Sequence, residues 1–442
     1  MERIFVKYLR LLMFAAISTH AAAQPAVEWI DKDTGHRVVR ISRQPGTQSL
    51  YFHQNAYTPQ GDVLIVNSPN GIQAVSLKTW SVRTVVPGKV TALFVAHKSR
   101  SVFFSKREGA DAGEGPSIVY AADIDSGAVR QVAKIPFGMI YSINADDSLL
   151  LGSVTKGSFQ LQTGKPDVRI EAQYAGEKRP DGTPYTFAEA KERRLDKRLE
   201  ARIPMEIFTV SIGTGEVHRV YGSTDWLNHL QFSPTDPGLI MFCHEGPWHK
   251  VDRIWTIRTN GEGLTLIHRR MMNMEIAGHE FFSPDGTKIF YDLQTPRGLV
   301  FWLASYDLRT KKRVWRLLDR NEWSVHFNVN RNGTLFSGDG GDSEMVAHAP
   351  DGKWLYLFRE QPVPDVADIH AKNADQLITP ATFAAERLVN MTKHDYRLEP
   401  NMTFTPDGKW LIFRSNMDGA SQVYAVQVAK ASDRSIMRQN QR

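Results

Sequence analysis

One short phrase recurs through this chain: an aromatic or apolar residue, a turn rich in Pro, Asp or Gly, and a short apolar run. Such a turn between two strand-like runs is typical of a β-hairpin, and most copies are followed by a second hairpin. Each repeat therefore predicts a four-stranded unit, and its spacing of roughly 40 to 50 residues predicts a β-propeller. The copies begin at Tyr57, Val95, Ile143, Phe232, Phe282, Val329 and Phe404. The predicted fold is all-β, a seven-bladed propeller.

The repeats cover most of the chain, so we predict a single propeller domain over residues 24–442. Strand-like runs at 35–42 and 422–428 are expected to share one blade and close the ring. Two longer gaps predict insertions at about 174–203 and 361–388. The first contains a basic, amphipathic helical pattern, which fits either a solvated face or a cover over an anionic ligand. The second is rich in Pro and Ala.

The first 23 residues have the pattern of a secretory signal peptide: a basic start, an apolar run and the small residues Ala21-Ala22-Ala23. Cleavage before Gln24 is expected. The apolar run is shorter than a membrane-spanning segment requires, and no other stretch approaches that length. The sequence thus predicts a periplasmic or secreted protein with no membrane span after cleavage.

The single cysteine, Cys243, excludes a disulfide framework and any multi-cysteine metal site. A metal would need His and oxygen ligands. The formal net charge of +6 suits an acidic substrate without requiring one. Basic residues are not interleaved with aromatic residues along a strand face, so nucleic acid is not an expected partner.

Polar residues recur just ahead of several repeats. His229, His279, His326 and Asn401 each lie a few residues before the phrase that opens a predicted blade. A single histidine beside a strand is more often a hydrogen-bonded structural group than a functional one. In a rotationally repeated fold, however, equivalent positions of the repeats converge on the axis. We therefore expect these four side chains to form one polar site.

Longer segments around these residues resemble one known family. The runs His229-Leu-Gln-Phe-Ser-Pro, His244-Glu-Gly-Pro-Trp-His, His279-Glu-Phe-Phe-Ser-Pro and Asn332-Gly-Thr-Leu-Phe-Ser-Gly follow one another as in the oligogalacturonate lyase family, and Tyr51-Phe-His-Gln-Asn is similar to it too. The resemblance implies a seven-bladed propeller enzyme that cuts short pectic uronides by β-elimination. It also implies a bound divalent metal, typically manganese.

By this resemblance His229 is the catalytic base and His279 a metal ligand, while Arg202 is the nearest candidate for the family's catalytic arginine. The family's remaining ligands, a Gln and a His-Pro-His segment, correspond here to Tyr396 and to Glu399-Pro-Asn401. Oxygen donors at Glu399 and Asn401 favour Ca²⁺ or Mg²⁺ over Mn²⁺. Alternatively no metal is bound, and Arg397 neutralises the substrate carboxylate.

The expected substrate-binding residues surround that set: Gln231, His244, Trp248, His249, His326 and Tyr396. His244, Trp248 and His249 also fit a turn in which Pro and Trp anchor packing. The predicted function is an exported lyase acting on an acidic, uronic-acid-containing oligosaccharide. The alternative is a non-catalytic TolB-like binding propeller, a class without a histidine-rich axial set. A hydrolytic glycosidase would need two carboxylates facing the bond.

Overall fold

The computed structural model describes residues 27–107, 117–135, 138–156, 178–185, 187–342, 349–364 and 372–432. The predicted signal peptide, residues 1–23, lies outside this part of the chain. The described residues form one α-helix, α1 (Phe187–Ala201), and the following strands: β1 (Val27–Ile30), β2 (His36–Arg40), β3 (Gln48–Ser49), β4 (Val63–Ser68), β5 (Gly71–Ser76), β6 (Val82–Pro87), β7 (Ala92–Val95), β8 (Ser101–Arg107), β9 (Ser117–Asp123), β10 (Val129–Ile135), β11 (Met139–Ile143), β12 (Leu149–Thr155), β13 (Met205–Ser211), β14 (Val217–Ser223), β15 (Trp226–Phe232), β16 (Leu239–Glu245), β17 (Ile254–Arg258), β18 (Thr265–Leu266), β19 (Ile276–Phe282), β20 (Lys288–Gln294), β21 (Phe301–Asp307), β22 (Arg313–Leu318), β23 (Phe327–Val329), β24 (Phe336–Gly338), β25 (Trp354–Pro362), β26 (Ile378–Asn390), β27 (Thr403–Phe404), β28 (Trp410–Ser415) and β29 (Gln422–Lys430).

These strands form seven antiparallel blades, each numbered here from its innermost strand outward. Blades 1 to 6 take four consecutive strands each, from β3–β6 to β23–β26, and blade 7 has the order β27, β28, β29, β2, β1. Each copy of the recurring phrase joins the first two strands of a blade. The predicted fold class, a seven-bladed β-propeller with a short helical insertion, is confirmed.

The recurring turn closes through its own side chains. In blade 5 the Ser283 hydroxyl donates to Asp285 (2.5 Å) and accepts the backbone N–H of Lys288 (2.9 Å). Gly286 takes a left-handed φ of 68° that completes the turn. In blade 7 the Thr405 hydroxyl donates to Asp407 in the same way. These local bonds explain why the phrase predicts hairpins well.

Blades 5 and 6 join along their outer edges. Strand β22 pairs in parallel with β26, which also pairs with β25, so the two blades form one eight-stranded sheet. The predicted insertion at 361–388 contains strand at both ends, at 361–362 in β25 and at 378–388 in β26; residues 365–371 lie outside the described part. Its Pro- and Ala-rich composition has low β-propensity, and pairing on both sides stabilises the strand instead.

Helix α1 interrupts blade 3 between β12 and β13 and lies inside the predicted first insertion. Its apolar side buries Ala190 and Leu195. Its basic side packs on Trp226, with the Arg198 guanidinium 4.8 Å and that of Arg194 5.6 Å from the indole centroid. None of the described helices, α1 included, is long and apolar enough to cross a membrane.

The ring closes in blade 7, where strands from both ends of the chain pair. Strand β29 pairs with β28 on one side and with β2 on the other, as the sequence predicts. Val38 of β2 lies opposite Val426 of β29, and both are fully buried. The circular arrangement therefore depends on contacts between residues almost 400 positions apart.

Replacing Val38 by Asp tests this closure. A carboxylate in this apolar seam is buried without a partner, so we expect the unfolding free energy to fall by about 3 kcal/mol or more. Chemical denaturation measures the change. In the control, Arg37→Ala removes an exposed ion pair with Glu28 and a guanidinium contact 5.9 Å from the Trp410 centroid, and is expected to cost about 1 kcal/mol. Equal stability of the two variants would contradict the closure.

Candidate active site

The innermost strands of blades 4 and 5 are distorted where their histidines lie. The register of β15 against β16 breaks between Asn228 and Gln231, and that of β19 against β20 breaks between Gly278 and Phe281. Inside these bulges His229 and His279 take left-handed φ angles of 50° and 47°. Such angles strain a non-glycine residue and persist only where the surrounding structure enforces them. The bulges re-aim both side chains out of the regular strand alternation.

Three of the four axial residues lie in a row across blades 4, 5 and 6. The ring centroids of His229 and His279 are 6.4 Å apart, and those of His279 and His326 are 4.8 Å apart. Two more rings join from blade 1: His53 lies 5.8 Å and Tyr51 6.1 Å from His229. The structure thus assembles five rings from four blades.

Two of the histidines are held by aspartates thirteen residues further along the chain. His279 Nδ1 lies 2.8 Å from Asp292, and His326 Nδ1 lies 2.7 Å from Asp339. Each carboxylate accepts the Nδ1 proton, which leaves Nε2 to face the cluster. Gly278 makes room for the first pair, because a Cβ there would lie 3.1 Å from the Asp292 carboxylate.

His229 has a different environment, between two glutamates. Its Nδ1 lies 3.5 Å from Glu280 and its Nε2 4.0 Å from Glu245. Arg253 bridges the two carboxylates, at 3.0 Å from Glu280 and 3.5 Å from Glu245. Asn228 also donates to Glu245, at 2.7 Å. Among the described residues, His229 Nδ1 and the facing Glu280 oxygen have no hydrogen-bond partner although both are buried.

Burial dominates the ionisation of this group. It lowers the pKa of His229 despite the opposing effect of Glu280, so the imidazole is neutral near pH 7. Burial together with His229 lowers the pKa of His53 to about 3. Burial raises the pKa of Glu280, but Arg253 and His229 outweigh it, and the net shift is downward. A neutral imidazole beside an ionised carboxylate is the arrangement of a general base.

Tyr51 forms a hydrogen bond with one histidine of the row. Its hydroxyl lies 3.1 Å from His326 Nε2, the nitrogen opposite the one that Asp339 holds. The turn that carries Tyr51 is fastened across the ring, since Phe52 N donates to Asn401 and Phe52 packs on Phe281 at 5.7 Å. A segment of blade 1 therefore contacts blades 4 to 7.

The predicted ligands Glu399 and Asn401 differ in their surroundings. The Glu399 carboxylate lies 3.7 Å from His326 Nε2. Asn401 is fully buried with a φ of 52°; its amide oxygen accepts from Phe52 N (3.3 Å), and its NH₂ donates to the Glu399 carbonyl (3.1 Å). Both ends of this amide are engaged with backbone, so Asn401 fastens the Phe52 turn.

The predicted substrate-binding residues do not all reach the row. Gln231 is buried, and its amide donates to the Glu280 carbonyl at 2.8 Å. The Tyr396 hydroxyl donates to the Asp339 carbonyl, inside the packing behind His326. His244 Nδ1 contacts Asp225 at 2.8 Å and lines a small cleft beside Arg253 with Trp248. His249 is exposed next to Trp248.

The two arginines proposed from the sequence lie on the surface. Arg202 is 62% exposed and pairs with Asp225, while Arg397 is 67% exposed and pairs with Asp395. Arg198, one turn before Arg202, is buried instead. Its Nη2 donates to Met205 Sδ at 3.1 Å, and its Nε has no hydrogen-bond partner among the described residues. It interacts electrostatically with Glu245, so this cation is better placed than Arg202 or Arg397 to meet an anion.

Sequence reasoning did not assign Tyr51, Arg198 or Arg253 to the site, and it recognised Glu245 and Glu280 only as carboxylates near the histidines. The signals available were weak. Tyr51 and His53 belong to an aromatic segment before the first repeat, and Glu280 directly follows a predicted ligand. Nothing in the sequence separates Arg198 from the other basic residues of its helix, because only the docking on Trp226 buries it.

Comparison with known proteins supports the resemblance to the oligogalacturonate lyase family. A family model described as oligogalacturonate lyase matches residues 196–432. An oligogalacturonide lyase of Pectobacterium atrosepticum is 27% identical over 228 residues, covering 50% of this chain and 55% of that protein. An oligogalacturonate lyase of Dickeya dadantii is 26% identical over 229 residues, with the same coverage. The chain therefore spans about half the length of the curated relatives it matches.

Solved structures share the fold. An oligogalacturonate lyase in complex with manganese superposes with a TM-score of 0.67 at 22% identity, covering 92% of this chain and 97% of that one. An oligogalacturonate lyase from Vibrio parahaemolyticus has the same TM-score and coverage at 20% identity. At this level of identity the two matches show a shared fold, and the shared fold covers 92% of this chain.

The residues present do not fit a metal centre of the predicted kind. Both ends of the Asn401 amide are already bonded to backbone, and Tyr396 is buried with its hydroxyl on the Asp339 carbonyl. Within the described ranges no group of three or more His, Cys, Asp or Glu side chains is placed to hold a metal ion. His279 and Glu399 alone are too few ligands for a stable site.

We therefore expect manganese to leave the stability of the folded protein unchanged. A site with a Kd of about 10 μM would stabilise the protein by about 2.7 kcal/mol at about 1 mM metal. Thermal unfolding of chelator-treated protein, with and without manganese, calcium or magnesium, measures this directly. An upward shift of several degrees that disappears in His279→Ala would contradict the expectation.

Proposed function

The chain belongs to the oligogalacturonate lyase family, and we propose that it is a lyase that cleaves uronic-acid-containing oligosaccharides by β-elimination. The observation that carries the proposal is the buried, neutral His229 between Glu245 and Glu280, within a cluster of five polar rings. Oligogalacturonides, the substrates in the names of the matched relatives, are the first substrates to test.

Elimination across C4 and C5 of a uronide begins with removal of the C5 proton beside the carboxylate. His229 suits this step because burial keeps its imidazole neutral. The ionised Glu280 at Nδ1 favours the tautomer protonated there, which leaves the lone pair of Nε2 as the base. Once the ring is protonated, Glu280 and Glu245 stabilise its positive charge.

The substrate carboxylate must also be neutralised, since negative charge develops on it as the C5 proton leaves. Arg198 supplies a buried guanidinium whose Nε has no hydrogen-bond partner among the described residues. It interacts electrostatically with Glu245, whose carboxylate lies 4.0 Å from His229 Nε2. Helix α1 then acts as part of the site: its basic side holds the anionic group, and Trp226 fixes the guanidinium. Of the two interpretations of the basic helix, the proposal adopts the cover over an anion.

Incubating the purified protein with a panel of oligogalacturonides tests the activity, which is detected by the ultraviolet absorbance of the unsaturated uronide product. His229→Ala is expected to lower kcat/KM by about 10³-fold, within the usual range for loss of a general base. The matched control is His218→Ala, which removes an exposed histidine on β14. No product from any uronide would contradict the function, and full activity in His229→Ala would contradict the base.

Arg198→Met is expected to lower kcat/KM by about 10²-fold or more, because it removes a charge that acts on the developing anion. Steady-state kinetics on the same oligogalacturonide measures this. Lys197→Met, an exposed neighbour on α1 with the same change in charge, is the control and is expected to stay within about twofold. Similar losses in the two variants would show that only the net charge of the helix matters.

A further inference from the structure

The base alone does not complete a β-elimination, because the leaving group needs a proton. The oxygen at C4 departs as a strongly basic alkoxide unless an acid protonates it as the bond breaks. His229 cannot be this acid, because it must be unprotonated at Nε2 when the reaction begins. A second group, close to His229 and carrying a proton, is required on the leaving-group side of the substrate.

Tyr51 meets these requirements. Its ring packs edge-on against that of His229, with the centroids 6.1 Å apart, so the two side chains meet from blades 1 and 4. The ring is half-buried, and its hydroxyl is bonded to His326 Nε2. Burial, reinforced by Glu399 and Glu245, raises the pKa of Tyr51 well above its usual value, so the hydroxyl keeps its proton at working pH.

The partners behind Tyr51 are rigidly held. One Asp339 oxygen accepts the backbone N–H groups of Val325 (3.1 Å) and His326 (2.9 Å), and the other accepts His326 Nδ1–H (2.7 Å). Asp339 and His326 are each 1% exposed. This chain of bonds fixes the ring of His326 and, through it, the position of the Tyr51 oxygen.

We propose that Tyr51 is the proton donor to the leaving O4 oxygen, and that His326 and Asp339 are positioning residues that hold and reprotonate it. The inference rests on the proposed lyase function and extends it, since it assigns the second half of the reaction. Blade 1 supplies the acid and blade 4 the base.

The step balances without a further reactant. The C5–H bond breaks and its proton goes to His229 Nε2, while the C4–O4 bond breaks with its electron pair on O4. The Tyr51 O–H bond breaks and its proton goes to O4, and the C4=C5 double bond forms. The Tyr51 phenolate then takes the Nε2 proton of His326, and solvent reprotonates His326 and deprotonates His229.

His326 is suited to this supporting role. Carboxylates face both of its ring nitrogens, with Asp339 2.7 Å from Nδ1 and Glu399 3.7 Å from Nε2, and together they stabilise the protonated ring. With Asp339 holding Nδ1–H, the protonated ring donates from Nε2 to the Tyr51 oxygen. The hydrogen of the Tyr51 hydroxyl is then free to point at the substrate.

Tyr51→Phe tests the proposal with two substrates: a natural oligogalacturonide, and an analogue whose C4 substituent is an aryl ether that leaves without protonation. We expect kcat on the natural substrate to fall by about 10²-fold or more, and kcat on the analogue to stay within about threefold. Tyr57→Phe is the matched control, because it removes the hydroxyl of another half-buried blade 1 tyrosine, bonded to Thr403. It is expected to leave both rates unchanged.

His326→Phe tests the positioning role and keeps a ring in place. It is expected to lower kcat on the natural substrate, with KM little changed and a smaller effect on the analogue. Equal losses on both substrates in Tyr51→Phe, or no loss on either, would overturn the assignment while leaving the lyase function intact. A wild-type protein inactive on both substrates would remove the proposed function and this inference with it.

Discussion

Closure of the ring is the constraint on which the site depends. His229, His279 and His326 come from consecutive blades, but their partner Tyr51 comes from blade 1, 275 positions before His326. Blade 1 reaches blade 6 only because β2 completes blade 7 against β29. Asn401 then fastens the turn beside Tyr51 through the Phe52 N–H. A propeller open at this seam would keep its hairpins and lose the contact between the two halves of the cluster.

Strain at the centre accompanies this geometry. His229, His279 and Asn401 all take left-handed backbone angles at the inner ends of their blades. Each such residue costs of order 1–3 kcal/mol, a cost that the surrounding sheets must offset. Two of these angles lie in bulges that turn a histidine toward the axis. The third, at Asn401, allows the oxygen and the NH₂ of the side-chain amide each to form a hydrogen bond with the backbone. These three strained residues therefore lie where the chain departs from regular blades.

The cluster divides its charges between two sides. Around His229, Glu245 and Glu280 share Arg253, and Arg198 lies close by under Trp226. Around Tyr51, the Asp339 and Glu399 carboxylates both face His326. One side thus keeps an imidazole neutral, whereas the other favours a protonated one. Opposite proton affinities within one cluster are what a reaction with paired acid and base steps requires.

The sequence by itself determined the blades, because the Ser/Thr-x-Asp-Gly turns form from bonds between near neighbours and recur with a readable period. It also identified His229, His279 and His326, since equivalent positions in a repeat share an axis. Tertiary structure decided the rest. Burial separates Arg198 from the exposed Arg202 and Arg397, pairing with β22 makes a strand of the Pro- and Ala-rich 378–390, and ring closure brings Tyr51 to His326. These outcomes depend on contacts between distant residues, which no local pattern encodes.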